Sequence, residues 1–174
     1  VHTPISGPSH TSGGTGGSLR GFSFIELLAV LAVLAVLAML AAPSMIDRII
    51  RNQITEALPL ADIAKAPVAA AWAASAALPA DNTAADLPAA EKIVSTYVRA
   101  VAIENGAIHL TFGNSANSLI RDKVLTLRPT VVEDAPIVPV SWVCAQGKVP
   151  DKMTAKGQDR TTVPAAYLPL KCRS

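Results

Sequence analysis

Histidine, cysteine and aromatic residues are scarce in this chain: three His, two Cys and 4% Phe, Trp and Tyr among 174 residues. Each shortage closes a class of function. His2 and His10 fall in a Gly/Ser/Thr-rich N-terminal stretch, and His109 stands alone on what reads as the polar side of a strand. No His-centred triad or metal cluster can be assembled from them, and His109 is expected to be an ordinary surface histidine. Cys144 and Cys172 have neither the Cys-x-x-Cys nor the Cys/His spacing of a zinc site. They form a disulfide if the C-terminal part lies outside the cytosol, and stay free thiols otherwise. The glycine-rich SGGTGG lacks the Lys-Ser or Lys-Thr that would make it a phosphate loop. A net charge of +2 is too small to imply a nucleic-acid partner. The expectation is a protein with no catalytic residues, no cofactor and no metal.

What the chain does have is apolar sequence, unevenly placed. Residues 1–21 (VHTPISGPSHTSGGTGGSLRG) offer no periodic apolar face and read as a leader or as disorder. From Phe22 to Ala42 every residue except Ser23 and Glu26 is apolar. As a helix this run spans about 30 Å, the thickness of a bilayer's hydrocarbon core. It is longer than a signal-peptide core, follows only Arg20 and leads into more helix, all of which argue against ordinary cleavage after it. The positive-inside preference keeps Arg20 and the leader cytoplasmic and exports the remainder, although Arg48 and Arg51 weigh against it. Glu26 is the anomaly. A charge in a membrane helix costs a few kcal/mol, so it either reaches the headgroups or meets a buried opposite charge.

Beyond the apolar helix of residues 22–43, an amphipathic pattern covers 44–77. Ile46, Ile49, Ile50, Ile54, Ala57 and Ala61 recur at helical spacing opposite Asp47, Arg48, Arg51 and Glu56. Pro59 and Pro67 are expected to kink this helix or end it early. Trp72 reads as a core residue. Residues 78–92 form a connecting loop with little periodicity. In residues 93–174, Asn105-Gly106 between apolar runs signals a hairpin. Ile108, Leu110 and Phe112 share one face of its second strand, with Ala107, His109 and Thr111 on the other. Further strands are expected at Lys123–Thr130 and Ile137–Cys144. The fold class is α+β: a long N-terminal helix packed on a four-stranded antiparallel sheet.

GFSFIELLAVLAVLAVLAMLAAPSMIDRIIRNQITEAL resembles the N-terminus of a type IV prepilin, with Gly21, Phe22, Glu26 and Pro43 matching the family pattern position by position. The blocks NGAIHLTFGNSAN, LTLRPT, SWVC and YLPLKCR resemble successive parts of major-type pilins. The leader departs from the short basic one usual there. The resemblance implies cleavage after Gly21 by an inner-membrane prepilin peptidase that also methylates the Phe22 amine. It implies that Glu26 pairs with the N-terminal amine of a neighbouring subunit, that the helix bends or unwinds at Pro43, and that Cys144 and Cys172 form the disulfide bounding a C-terminal loop. The implied product is a homopolymeric type IV pilus built by inner-membrane assembly machinery, with the precursor held in the inner membrane and its C-terminal domain periplasmic. A type II secretion pseudopilin and a minor pilin acting as tip adhesin or DNA receptor are the alternatives. Lys148, Lys152, Lys156, Arg160, Lys171 and Arg173 form a basic C-terminal region able to attract DNA or anionic surfaces if exposed on a polymer.

Overall fold

Leu and Ala dominate residues 24–42, and both lose little freedom in a helix. In the computed structural model, which describes residues 21–173, they begin helix α1 (Phe24–Ala57). The leader lies outside the described residues, except for Gly21. So do the side chains of residues 41–44, and with them the bend expected at Pro43. The chain divides into two units, residues 1–40 and 41–174. In the first, every described side chain of α1 is exposed.

The second unit holds the rest of α1, a turn of 3-10 helix at Leu58–Ala61 and helix α2 (Asp62–Ser75). Pro59 sits at the start of that turn, where a missing N–H is tolerated, while Pro67 lies inside α2. The buried positions run Ile50, Ile54, Ala57, Ala61, Ala64, Val68 and Trp72. Steps of three and four residues keep them on one face through the change of helix type. Ile46 and Ile49, expected on that face, stay 46% and 50% exposed. Helix α2 ends where Ala76, at φ 52°, donates its N–H to Trp72 O in a left-handed cap.

Strands β1 (Val98–Glu104), β2 (Ala107–Phe112), β3 (Val124–Val131) and β4 (Ser141–Cys144) follow as an antiparallel meander in sequence order. Asn105 and Gly106 both have positive φ, 48° and 80°, as a two-residue hairpin of the favoured twist requires. The fourth strand is shorter than expected. Pro136 and Pro139 cannot donate to a ladder, and the chain turns instead, with Ala135 and Val138 donating to Val132 O and Ala135 O. Ile137 is left 90% exposed. A two-residue strand β5 (Thr154–Ala155) pairs with Thr130 and Val131 of β3. It takes the edge that β2 leaves vacant past its pairing of Ile108 with Leu127.

The helical stripe packs on the inner face of the sheet against Val98, Val101, Ile108, Leu110, Phe112 and Leu125, all fully buried. At Val101 and Ile103 the free edge of β1 is closed by one side chain. The Asn82 amide donates to Val101 O (3.0 Å) and Pro88 O (3.0 Å), and its oxygen accepts the Ile103 N–H (2.6 Å), imitating a neighbouring strand. At the other end Cys144 of β4 is bonded to Cys172, which is fully buried beside it.

Asn82→Ala removes the only partner shown for a buried strand donor and is expected to lower unfolding free energy by about 2 to 4 kcal/mol in urea titrations of the full chain in detergent. Asn82→Asp should be nearly as damaging, because a carboxylate accepts from Ile103 but repels the two carbonyls. Replacing both cysteines by serine should cost about 3 to 4 kcal/mol by releasing a 28-residue closure in the unfolded chain. The same titration, with oxidised and reduced wild type as controls, measures it.

Candidate assembly and processing site

The site begins where the helix does. Gly21, Phe22 and Ser23 precede α1 without helical structure, and Leu27 donates its N–H to Ser23 O (3.1 Å) as the first helical bond. Ser23 therefore stands at the N-cap and Glu26 three residues inside. The Glu26 carboxylate turns back to accept the Ser23 N–H (3.2 Å), which is the glutamate half of a capping box. A carboxylate here meets both an orphan backbone donor and the positive end of the helix dipole. Its position is thus explained locally, before any second molecule is considered, and Glu26 is the only charged residue between Phe22 and Ala42.

Around it the surface is continuously apolar. Phe22 is 87% exposed, and Phe24, Ile25, Leu28, Leu31 and Val36 are all open. α1 is long and apolar enough to cross a membrane. Chemically, such a segment presents one hydrogen-bond acceptor of full negative charge on a surface that water solvates poorly. A cation delivered into that setting is held far more strongly than one in bulk water.

The C-terminal candidates are altered by their neighbours. Lys156 pairs with Glu133, Arg160 pairs with Glu104, and Arg173 donates through Nε to Leu168 O (2.9 Å). Among the described residues no acid pairs with Lys148, Lys152 or Lys171, all exposed. Half of the basic set is therefore engaged in holding the fold, and the positive region is smaller than the sequence implies.

His109 is not a surface histidine. It is buried, with Nδ1 2.9 Å from the Thr126 hydroxyl and Nε2 3.8 Å from Glu104 Oε2, and burial pushes its pKa below the usual 6.5. The outer face of the sheet, expected to be polar and open, is crossed by residues 156–163. A clue lay in the sequence. The outward positions Ala100, Ala102, Ala107, Thr126 and Thr130 are small and uncharged, as suits a face on which another segment lies. Asn82 left no such trace, since a turn-forming residue in a loop looks the same whether or not it closes a strand edge. Among the described residues there is no group of three or more His, Cys, Asp and Glu arranged to hold a metal.

The sequence profile of the pilin family, described as bacterial filament proteins, matches residues 51–173. A fimbrial protein of Neisseria meningitidis serogroup B is 31% identical over 88% of this chain and 94% of its own length. A type IV major pilin, PilE1, of Neisseria gonorrhoeae is 32% identical over 88% and 87%. The fimbrial protein EcpC of Eikenella corrodens is 30% identical over 89% and 91%. A profile covering the sheet and its helix, and relatives aligned over nearly nine-tenths of the sequence, agree with the apolar helix and the bonded cysteines: the chain belongs to the pilin family and is a type IV pilin.

Proposed function

We propose that this pilin is the major subunit of a type IV pilus, cut between Gly21 and Phe22, methylated on the Phe22 amine and polymerised through α1. The observation that carries this reading is the exposed apolar surface from Phe22 to Leu40 with one carboxylate in its first turn. Each large apolar side chain brought out of water contributes about 1.5 to 3 kcal/mol, so the segment is stable in a bilayer or a helix bundle and nowhere else. In the inner membrane lipid covers it. In the filament neighbouring helices do, and in the second unit the exposed Met45, Ile46 and Ile49 offer apolar surface of their own.

Cleavage creates an amine at Phe22, close in sequence to Glu26. The capping bond leaves the carboxylate lone pairs free to accept from the amine of an adjacent subunit. A helix out of register would leave one of the two charges unpaired in apolar surroundings, at a cost of several kcal/mol. The pair thus selects axial register as well as adding attraction. The peptidase and the inner-membrane assembly machinery are the partners this route requires, and adhesion, twitching motility and DNA uptake are the activities the fibre would serve. The relatives' description as major pilins favours the major subunit over a type II secretion pseudopilin or a tip component. A second reading, DNA capture along the fibre, is favoured by the unpaired Lys148, Lys152 and Lys171, which a polymer would repeat many times.

Intact mass and N-terminal sequencing of the chain from filaments sheared off cells should give a chain that begins at a methylated Phe22; an uncut chain in that fraction would overturn the reading. Glu26→Ala should leave cleavage nearly intact and reduce sheared filament at least tenfold, as an immunoblot of both fractions measures. For the second reading, Lys148→Glu with Lys152→Glu should weaken duplex DNA retention by purified filaments at low salt and flatten its salt dependence. Unchanged retention would remove it.

A further inference from the structure

The segment 156–163 runs as a strap across the outer face of the sheet. At one end Lys156 donates its N–H to Pro129 O (2.9 Å) on the side of β3 that faces β5. At the other, Thr162 exchanges bonds with Val124: its N–H donates to Val124 O (2.8 Å) and its hydroxyl accepts the Val124 N–H (2.8 Å). Between these anchors the chain passes directly over β2. Gly157, at φ 77°, lies so close to Ala107 that an added Cβ would come within 2.6 Å of the alanine Cβ. Arg160 donates its N–H to the Thr126 hydroxyl (3.0 Å), and its side chain is ion-paired with Glu104.

His109 lies under the middle of this crossing. The hydroxyl that accepts from Arg160 is the same one that contacts His109 Nδ1, so the imidazole and the strap share a partner. Glu104 is shared too: Oε1 binds Arg160, and Oε2 faces Nε2, which has no hydrogen-bond partner among the described residues. The charged groups around the imidazole are Glu104 from β1 and Asp159 and Arg160 from the strap. Asp159 is occupied by Thr161, whose N–H and hydroxyl both donate to its Oδ1.

We propose that the strap is a pH-sensitive latch with His109 as its sensor: protonation of the buried imidazole loosens residues 156–162 from the sheet. From Lys156 to Thr162 the strap's hold is mostly polar, Val163 being buried in the core at its far end, and a proton on His109 acts on the central contacts. It places a second cation beside the one carboxylate that holds Arg160. It also puts a charge where the strap excludes water, a cost relieved when the strap lifts.

The direction follows from the same geometry. With the strap closed, burial lowers the His109 pKa, outweighing the pull of Glu104 and of Asp159 in the strap itself. With it open, the imidazole titrates near its ordinary 6.5. The open form therefore binds more protons, and the hold is complete above pH 6.5 and declines below it. The closed-to-open ratio falls by up to about tenfold per pH unit until the closed-state pKa is reached.

Amide hydrogen exchange of the full-length pilin in detergent, corrected for intrinsic rates and followed across mildly acidic to neutral pH, tests this. The Lys156, Arg160 and Thr162 amides should lose protection at that slope on acidification, while the β1–β2 ladder keeps its own. In His109→Asn, which keeps a neutral polar group against Thr126, the slope should vanish. A flat wild-type profile, or an equal slope in the variant, would overturn the proposal. Should the variant not fold, the His109 ring proton shifts of the wild type decide: a midpoint below 6.5 at which the loss of Lys156, Arg160 and Thr162 protection levels off upholds the latch, and a midpoint at or above 6.5, or one unrelated to that loss, sinks it.

Discussion

The packing of one helical stripe on the inner face of the sheet is the contact on which the remainder of the domain rests. Its positions advance by three and four residues from Ile50 to Trp72, and three of them, Ala57, Ala61 and Ala64, are small. Small side chains let the backbone approach a sheet whose own inward residues are large, Ile108, Leu110 and Phe112 among them. The fit explains why two prolines do not end the helical run. The 3-10 turn absorbs Pro59 without rotating the stripe off the sheet. Pro67 deprives the Ile63 carbonyl of its intrahelical donor, and Ile63 is half exposed, so water can replace the bond. Tertiary burial outweighs local propensity here because the stripe contributes along its whole length, whereas each proline acts at one carbonyl.

The same α1 carries further apolar side chains that none of the described residues covers. A globular domain standing alone would gain by replacing Met45, Ile46 and Ile49 with polar residues, and a membrane anchor alone would have no need of them. The proposed route needs both, since in it the segment exchanges lipid for neighbouring helices. The hydrophobic gain is similar in either setting, because lipid tails and apolar side chains are alike to it. What distinguishes the two is polar: a bilayer offers Glu26 no buried cation. In the assembly proposed above, specificity would thus reside in a single carboxylate on a surface otherwise indifferent to its surroundings.

Much of this was legible in the sequence, and the divide between what was and what was not follows the range of the interactions. The apolar run, the Asn105-Gly106 hairpin, the inner face of β2, Trp72 in the core and the pairing of Cys144 with Cys172 each follow from patterns within a few residues or from the family's motifs. β4 came out short because prolines at 136 and 139 outweigh the β-branched residues between them. Asn82 was unreadable, for its role depends on Val101 and Ile103, 19 and 21 positions away. His109 was misplaced because alternation marks which side of a strand a residue is on and not whether that side meets water. Here a segment some fifty residues later covers it, through contacts such as Arg160 to Glu104, 56 positions apart.

The two faces of the sheet are therefore held by different physics. Inside, apolar area leaves water, an interaction without direction that hardly responds to pH. Outside, a short strap is held by hydrogen bonds and ion pairs, each worth about 1 kcal/mol or less net where partly exposed, so no single one is decisive. A segment held this way opens at lower free energy than the core beneath it. The Cys144–Cys172 bond is suited to this arrangement. It fixes the chain beyond the strap to the end of β4, so that the strap is tethered at both ends and its loosening remains a local event. Placing an imidazole under the weaker layer instead of the stronger one is what allows a proton to act on the outer face while the helix and the inner face stay packed.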